Sequence, residues 1–447
     1  MTCPDDVELF ILATHSCLRL RVPENRTRPT GRTVDLLVIR VVPPGRTSPD
    51  PMLNLGGDVG DVFGVAGFTA LAERVHRVAY LLEPRGSGHS TPSMACPEAD
   101  QVRATMVDES AALAIAAQRC LIRLRAAGDD PGWFGPKDVA ADADAVRRAL
   151  GVSRWNVITY GSASMYAAEL ARTYPTTIRS LVVDSPAPLA SQYAGANATW
   201  VAWTNVAKAC LSTSACAQAF PDVQDLWRRA AVRVALHAVT LPGAPAGSGL
   251  LDAEVLARLV RAMLAGDGPQ AAAEVPAMLS GLGSGRLPGQ ASARLAADRG
   301  ACLGYRPECT HPSNLAAYLT ALCPLLTTAS GAEGPDLPGV EALDPARMFA
   351  GACTGWPAGP TPGSGLPTAL PTLVLYGDAD PFVDTTGLGG WAHRPYAYLV
   401  DVPGQTHNAM GFNDCPIALR NAWVDEPTNP PPTDCLASVP AIPFSTP

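Results

Sequence analysis

Apolar and helix-like segments alternate along the first 188 residues of the chain. Five short, mainly apolar runs bounded by turn residues predict buried strands at 34–42, 51–55, 78–82, 155–159 and 181–184. The segments 138–150 and 165–173, on either side of the run at 155–159, have the apolar spacing of helices. Strands that alternate with helices indicate the α/β class, with a mostly parallel, doubly wound sheet.

From about residue 189 the pattern changes to long Ala- and Leu-rich segments separated by Pro-, Gly- and Ser-rich loops. These segments predict helices at 200–211, 224–236, 253–264 and 271–282. The strand pattern returns at 372–376 and 397–402. We therefore predict that a helical cap is inserted before the last strands of the sheet. The predicted parts are a first part of the core at 1–188, the cap at 189–364, and a second part of the core at 365–447.

Length and charge limit the classes of function. The 447 residues exceed what one hydrophobic core usually supports, in agreement with a core plus a cap. The net charge of −8, without a run of like charges, argues against a nucleic-acid partner, which would require a basic face. No apolar stretch approaches the ~18 residues that a membrane span needs. The sequence does not determine the oligomeric state.

The 12 cysteines bear on the compartment. Three close pairs are Cys210 with Cys216, Cys302 with Cys309, and Cys415 with Cys435. The spacings lack the doublets and histidines of a zinc site, so we predict neither a metal nor a cofactor. Disulfides in an oxidising, extracellular compartment are favoured over buried reduced thiols because cysteine seldom reaches this density otherwise. The first residues lack the features of a signal peptide, so a cytoplasmic location stays an alternative.

Two residues with catalytic potential follow the last two predicted strands. Asp380 comes after the run 372–376, and His407 comes after the run 397–402. The carboxyl ends of parallel strands meet at one edge of a sheet, where open α/β folds place their ligands. Either residue alone would most simply be an ordinary loop residue. Together they predict a dyad in which the carboxylate orients the imidazole and stabilises its protonated form.

Several short motifs, in this order along the chain, resemble one family. They are CLRLRVP at 17–23, LNLGG at 53–57, PRGSGHSTP at 84–92, the cysteine loop at 210–216, CTGWP at 353–357, GDADP at 377–381, and the pair Cys415 and Cys435. In these motifs the chain resembles the tripeptidyl-aminopeptidase and proline-iminopeptidase group of secreted actinobacterial α/β-hydrolases. The resemblance implies the α/β-hydrolase fold and a Ser-Asp-His enzyme that removes short peptides or single residues from free N-termini.

The nucleophile turn departs from the pattern of this fold. The serine normally lies at the centre of G-x-S-x-G, on a strained turn from strand to helix. Here residues 159–165 are TYGSASM, and an alignment without gaps places Gly161 at the nucleophile position. A shift by one residue places Ser162 there, with the bulky Tyr160 where a small residue is expected. We predict Ser162 as the nucleophile; the alternative is that Gly161 occupies the turn, Ser162 only lines the pocket, and no acyl-enzyme forms.

The predicted oxyanion loop contains Gly56, Gly57 and Asp58. Backbone N–H groups near Gly57 and Ala163 are the predicted oxyanion donors. The carboxylate of Asp58 would oppose the stabilisation of a developing negative charge. Asp58 or Asp61 could instead bind a substrate ammonium group, or both could be solvated loop acids.

Three functions agree with the sequence. The first is hydrolysis of a short peptide or a small amide or ester, with Ser162 as nucleophile, His407 as base and Asp380 as orienting acid. The second is an atypical biosynthetic enzyme of secondary metabolism without the serine nucleophile. In it the dyad would transfer protons for elimination, epimerisation or cyclisation. The third is an inactive binding protein that uses the cap cleft.

Overall fold

An eight-stranded sheet forms the centre of the protein. The computed structural model describes residues 2–5, 14–55, 72–99, 109–187, 195–240, 250–285, 315–326 and 334–446, except positions 73, 267, 358, 360, 362, 364, 384, 392, 393 and 412. The sheet strands are β1 (Thr14–Pro23), β2 (Thr33–Val42), β3 (Ser48–Leu55), β4 (Arg77–Leu82), β5 (Trp155–Tyr160), β6 (Ile178–Asp184), β9 (Thr372–Gly377) and β10 (Ala397–Val402). The pair β7 (Val239–Thr240) and β8 (Leu250–Leu251) is separate.

The strand order is β1-β2-β4-β3-β5-β6-β9-β10. The pairs β1–β2 and β2–β4 are antiparallel, whereas all other neighbours in the sheet are parallel. This arrangement confirms the predicted mostly parallel sheet. Strand β5 lies in the middle, and β9 and β10 extend the sheet beyond β6, so the carboxyl ends of β5, β6, β9 and β10 share one edge.

Helices pack around the sheet and fill the chain between β6 and β9. The described helices are α1 (Glu109–Ala126), α2 (Pro136–Ala149), α3 (Ser164–Thr173), α4 (Gly195–Ser212), α5 (Ser214–Ala219), α6 (Leu226–Leu236), α7 (Ala253–Leu264), α8 (Pro269–Ala273), α9 (Val275–Gly283), α10 (Leu315–Leu326), α11 (Pro345–Cys353) and α12 (Asp414–Asp425). The single helix predicted at 271–282 is in fact two, α8 and α9. The break falls at Glu274, because Pro276 in the first turn of α9 cannot donate a backbone hydrogen bond to an earlier turn.

Separate apolar cores lie on the two faces of the sheet and among the inserted helices. One face of the sheet packs against α1, α2, α3, α10 and α11. The other face packs against α12. Helices α4, α6, α7 and α9 enclose a core of their own, which contains Trp203 and Trp227. Because α10 and α11 join the core of the sheet, the inserted chain is not packed as one unit, and the cap boundaries at 189 and 364 stay a prediction.

Five disulfides connect the described cysteines. They are Cys3–Cys17, Cys96–Cys120, Cys210–Cys216, Cys323–Cys353 and Cys415–Cys435. Two of the three close pairs are therefore disulfides, and Cys302 and Cys309 lie outside the described residues. Every cysteine in the described part of the chain is oxidised. The one described side-chain group with the spacing of a metal site, Cys96, Glu98 and Cys120, contains a disulfide and so offers no thiolate ligands.

A buried ion pair fixes the turn after β4. The guanidinium of Arg85 donates to both carboxylate oxygens of Asp142, at 2.6 and 2.7 Å, and both side chains are fully buried. Arg85 also donates to the carbonyl oxygens of Trp133 at 2.7 Å and Glu24 at 2.9 Å. The turn therefore depends on one side chain that satisfies several buried acceptors.

Arg85→Ala is expected to lower the free energy of unfolding by about 3 kcal/mol, because it leaves the buried Asp142 carboxylate without its main partner. Urea denaturation would measure the loss. Arg21→Ala is the control: Arg21 pairs with Asp35 at 2.7 Å, but its side chain is 70% exposed, so stability should change little. Equal stability of the two variants would contradict the structural role of Arg85.

Candidate active site

The structure brings Asp380 and His407 together at the carboxyl edge of the sheet. Asp380 follows β9, and its backbone N–H donates to the carbonyl of Gly377 at 3.1 Å. Its Oδ1 accepts the N–H of Phe382 at 2.9 Å. These two bonds fold the loop so that Oδ2 faces His407, which follows β10, and the Nδ1 to Oδ2 distance is 2.9 Å. The predicted contact between acid and base is therefore present.

The electrostatics of this pair favour a protonated imidazole. The Asp380 side chain is fully buried, whereas the His407 side chain is 25% exposed. Burial disfavours the charged imidazole, but the carboxylates of Asp380 and Asp184 outweigh it and raise the pKa of His407 above 6.5. With Nδ1 bonded to the carboxylate, Nε2 is the ring nitrogen left to exchange a proton with a reacting group.

Gly161 occupies the turn between β5 and α3. It begins the single 3-10 turn Gly161–Ala163, and its φ of 53° lies in the left-handed region that favours glycine. A Cβ atom at this position would lie 3.4 Å from His407 Nε2. The backbone of Gly161 thus presents its side-chain position directly to the imidazole.

The neighbours of Gly161 have different surroundings. Ser162 is half-buried, and its φ is outside the left-handed region. Its role as nucleophile stays a prediction. Ser164 Oγ is fully engaged, because it donates to the carbonyl of Gly161 at 2.6 Å and accepts the N–H of Ala187 at 2.9 Å. Thr159 Oγ1 donates to the carbonyl of Leu55 at 3.0 Å and ties β5 to β3.

Of the predicted oxyanion donors, only the one near Ala163 lies within the described residues. Gly56, Gly57, Asp58 and Asp61 lie outside the described residues, so their predicted roles stay predictions. Ala163 ends the 3-10 turn with φ −64° and precedes α3. Its backbone N–H lies at the start of this helix, where the helix dipole favours negative charge, and its role as an oxyanion donor stays a prediction.

One carboxylate near His407 had no predicted role. Asp184 ends β6 and is completely buried. Its side chain accepts the backbone N–H groups of Ala409 at 3.0 Å and Met410 at 2.8 Å, two and three residues after His407. A carboxylate at the carboxyl end of a buried parallel strand is a signal similar to the one that identified Asp380, so the sequence does contain a clue to it.

Inserted helices contact the loops that carry Asp380 and His407. Asn205 of α4 donates to the carbonyl of Asp378 at 2.8 Å, next to the loop of the acid. Thr406 donates to the carbonyl of Gly266, which follows α7, at 3.0 Å. The ring of Phe382 meets the imidazole of His407 edge-on, with centroids 5.0 Å apart. The guanidinium of Arg261 lies over the same phenyl ring, 5.9 Å from its centroid.

The chain is similar to several known proteins. Residues 57–258 match the family model for the alpha/beta hydrolase fold. Over 221 residues the chain is 25% identical to serine protease Hip1 of Mycobacterium tuberculosis, a match that covers 45% of this chain and only 42% of Hip1. It is also similar to the crystal structure of proline iminopeptidase from Mycobacterium smegmatis, with 17% identity, a TM-score of 0.39, and coverage of 92% of this chain and 99% of that one. A thermophilic esterase from Thermogutta terrifontis has 13% identity, a TM-score of 0.41, and coverage of 92% and 100%.

Each described helix is too short or too polar to cross a lipid bilayer. The mostly parallel sheet with helices on both faces is the architecture predicted from the sequence. Together with the match of residues 57–258 to the family model, it shows that the chain has the α/β-hydrolase fold.

Proposed function

We propose that the protein hydrolyses an ester or amide bond of a small molecule or short peptide, with His407 as general base for a water molecule. Asp380 orients the imidazole through its 2.9 Å contact with Nδ1. The observation that carries this proposal is the position of Gly161, whose absent side chain would point at His407 Nε2 from 3.4 Å. A water molecule at that place would stand where the serine hydroxyl stands in related enzymes.

The proposed reaction needs no covalent intermediate on the protein. Nε2 of His407 accepts a proton from water while the water oxygen attacks the carbonyl carbon of the substrate. The tetrahedral intermediate collapses as the imidazolium returns the proton to the leaving oxygen or nitrogen. The products are a carboxylic acid and an alcohol or amine. Asp380 stays ionised and stabilises the imidazolium in between.

Ser162 as nucleophile is the competing mechanism. For this, its hydroxyl would have to reach His407 from one residue further along the turn, although the backbone presents Gly161 to the imidazole. The proton-transfer and binding-protein hypotheses keep the same dyad and the same turn. The first differs from hydrolysis in the reaction that the dyad would catalyse, and the second in having no reaction at all.

Turnover of p-nitrophenyl butyrate and alanine p-nitroanilide tests the mechanism. We expect steady-state release without a burst, no labelling by a fluorophosphonate probe, and less than about a threefold change in kcat for Ser162→Ala. Because the neutral imidazole is the base and its pKa is raised, the rate should fall on the acid side with a midpoint above pH 6.5.

Other outcomes select other mechanisms. A burst together with labelling that Ser162→Ala abolishes would establish the acyl-enzyme and overturn the water mechanism. If the protein hydrolyses neither substrate but binds a ligand, and His407→Ala does not weaken this binding, the hypothesis of an inactive binding protein would be supported.

We further propose an extracellular location. The five disulfides support it, because such bonds persist in oxidising compartments and are rare in the cytosol. Refolding yield with and without a reducing agent would test whether the protein depends on these bonds.

A further inference from the structure

We propose that Asp184 is a positioning residue for His407, acting through the loop that carries the imidazole and through its own charge. The proposal rests on the proposed role of His407 as the base. Asp184 lies at the end of β6, whereas His407 lies more than 200 residues later, after β10. The two meet because β6 and β9 are neighbours in the sheet and β10 is next to β9.

The hydrogen bonds of Asp184 are directed at the histidine loop, which we define as residues 403–411. Oδ1 accepts the N–H of Ala409 at 3.0 Å, and Oδ2 accepts the N–H of Met410 at 2.8 Å. These two amides begin the short 3-10 turn Ala409–Gly411. One carboxylate thus caps the turn that follows His407 and leaves neither oxygen unbonded.

The backbone on both sides of this contact is strained. Asn408, directly after His407, has φ 65°, and Ser185, directly after Asp184, has φ 51°. Residues other than glycine rarely adopt this region, and they keep it only where surrounding contacts require it. The N–H of Asn408 donates to Ser185 Oγ at 3.1 Å, and Ser185 Oγ donates to Asp184 Oδ1 at 3.1 Å. We infer that these contacts from the end of β6 hold the backbone conformation that orients the imidazole of His407.

The charge of Asp184 also acts on the imidazole. Asp380 and Asp184 are the two carboxylates that favour imidazolium at His407. The guanidinium of Arg420 from α12 also interacts electrostatically with Asp184 and with Arg74. Burial raises the pKa of Asp184 to about 6, against its bonds to Met410 and Ala409 and the charge of His407. Above about pH 6 the carboxylate is therefore ionised and supports the charged form of His407.

Asp184→Asn tests the proposal, because it removes the charge and one acceptor while it keeps the size of the side chain. The readout is the pKa of the His407 imidazole by NMR titration, with the resonance assigned by its loss in His407→Gln. We expect this pKa to fall by at least about 0.5 pH unit. The acid limb of the kcat profile for p-nitrophenyl butyrate should move to lower pH, and kcat should fall about tenfold with little change in KM.

A matched control separates this effect from a general cost of neutralising an acid with a raised pKa near the histidine loop. Asp378 is half-buried, burial and Asp401 raise its pKa to about 6, and it accepts the N–H of Gly404 at 2.8 Å in the same loop. It does not contribute to the pKa of His407. Asp378→Asn should therefore leave the imidazole pKa unchanged.

A second variant tests the proposal even if Asp184→Asn does not fold. Ser185→Ala removes the bond from Asn408 and the bond to Asp184 Oδ1, but it keeps the charge of Asp184 and its two bonds from the histidine loop. It should lower kcat about three- to tenfold, with normal circular dichroism. An unchanged imidazole pKa in a folded Asp184→Asn protein, or an unchanged kcat in Ser185→Ala, would overturn the proposal. If the wild-type protein hydrolyses neither test substrate, the proposed function fails on its own, and the imidazole pKa still decides the role of Asp184.

Discussion

Gly161→Ser is expected to react covalently with a fluorophosphonate probe at position 161. The backbone already holds this position in the left-handed conformation, with a Cβ that would lie 3.4 Å from His407 Nε2. A hydroxyl on that carbon would come within hydrogen-bond reach of the base, and Asp380 already orients the imidazole. Intact-mass spectrometry after incubation with the probe should show one adduct per chain, located by peptide mapping at position 161.

The control for this variant is Ala163→Ser, which adds the same hydroxyl two residues away at the end of the 3-10 turn. It should stay unlabelled. Gly161→Ser should also lower the free energy of unfolding by about 1 kcal/mol, because a side chain is strained at φ 53°. A folded Gly161→Ser protein without labelling would show that other parts of the site, such as the oxyanion donors, cannot support acylation.

Asp380→Asn is expected to lower kcat/KM for p-nitrophenyl butyrate on the order of 10³–10⁴-fold. The NH2 group of the asparagine would donate a hydrogen bond to Nδ1, which moves the imidazole proton to Nε2 and gives the wrong tautomer. The variant would also lack the negative charge that stabilises the protonated imidazole. The side chain is fully buried, so water cannot replace the lost carboxylate. Steady-state kinetics of the purified variant would measure the loss.

Asp401→Asn is the matched control, since Asp401 lies on β10 close to the same edge but makes no contact with the imidazole. Its kcat/KM should change less than about twofold. If Asp380→Asn retained more than a tenth of the activity, Asp380 would not be the orienting acid, and hydrolysis would have to proceed elsewhere in the cleft.

Much of the sheet could be predicted because buried strands carry a strong local signal. The predicted run at 397–402 has the same limits as β10, and the predicted helix at 253–264 has the same limits as α7. Strand β1 was missed, because Arg19 and Arg21 interrupt its apolar positions. In the structure these arginines are the exposed members of an alternating edge strand, whereas Cys17 and Val22 are buried.

The contact between Asp380 and His407 could be predicted for a similar reason, since each residue lies in the loop after a recognisable strand. The turn at Gly161 could not be resolved from the sequence, because the direction of a side chain there depends on one φ angle. A shift by one residue changes which position faces His407. The role of Asp184 could not be predicted for another reason. Its neighbours along the chain do not reveal which distant backbone N–H groups will donate hydrogen bonds to its carboxylate.

The order of the strands has a consequence for how the protein is made. Strand β6 ends at Asp184, but its partner β9 begins at Thr372, so the ribosome adds the whole intervening chain before that edge can be paired. At ordinary rates of synthesis this delay is roughly 10–40 s. During it the nascent chain exposes an apolar strand edge of the kind that invites aggregation. A chain interrupted before β9 therefore lacks both Asp380 and His407 and is prone to associate.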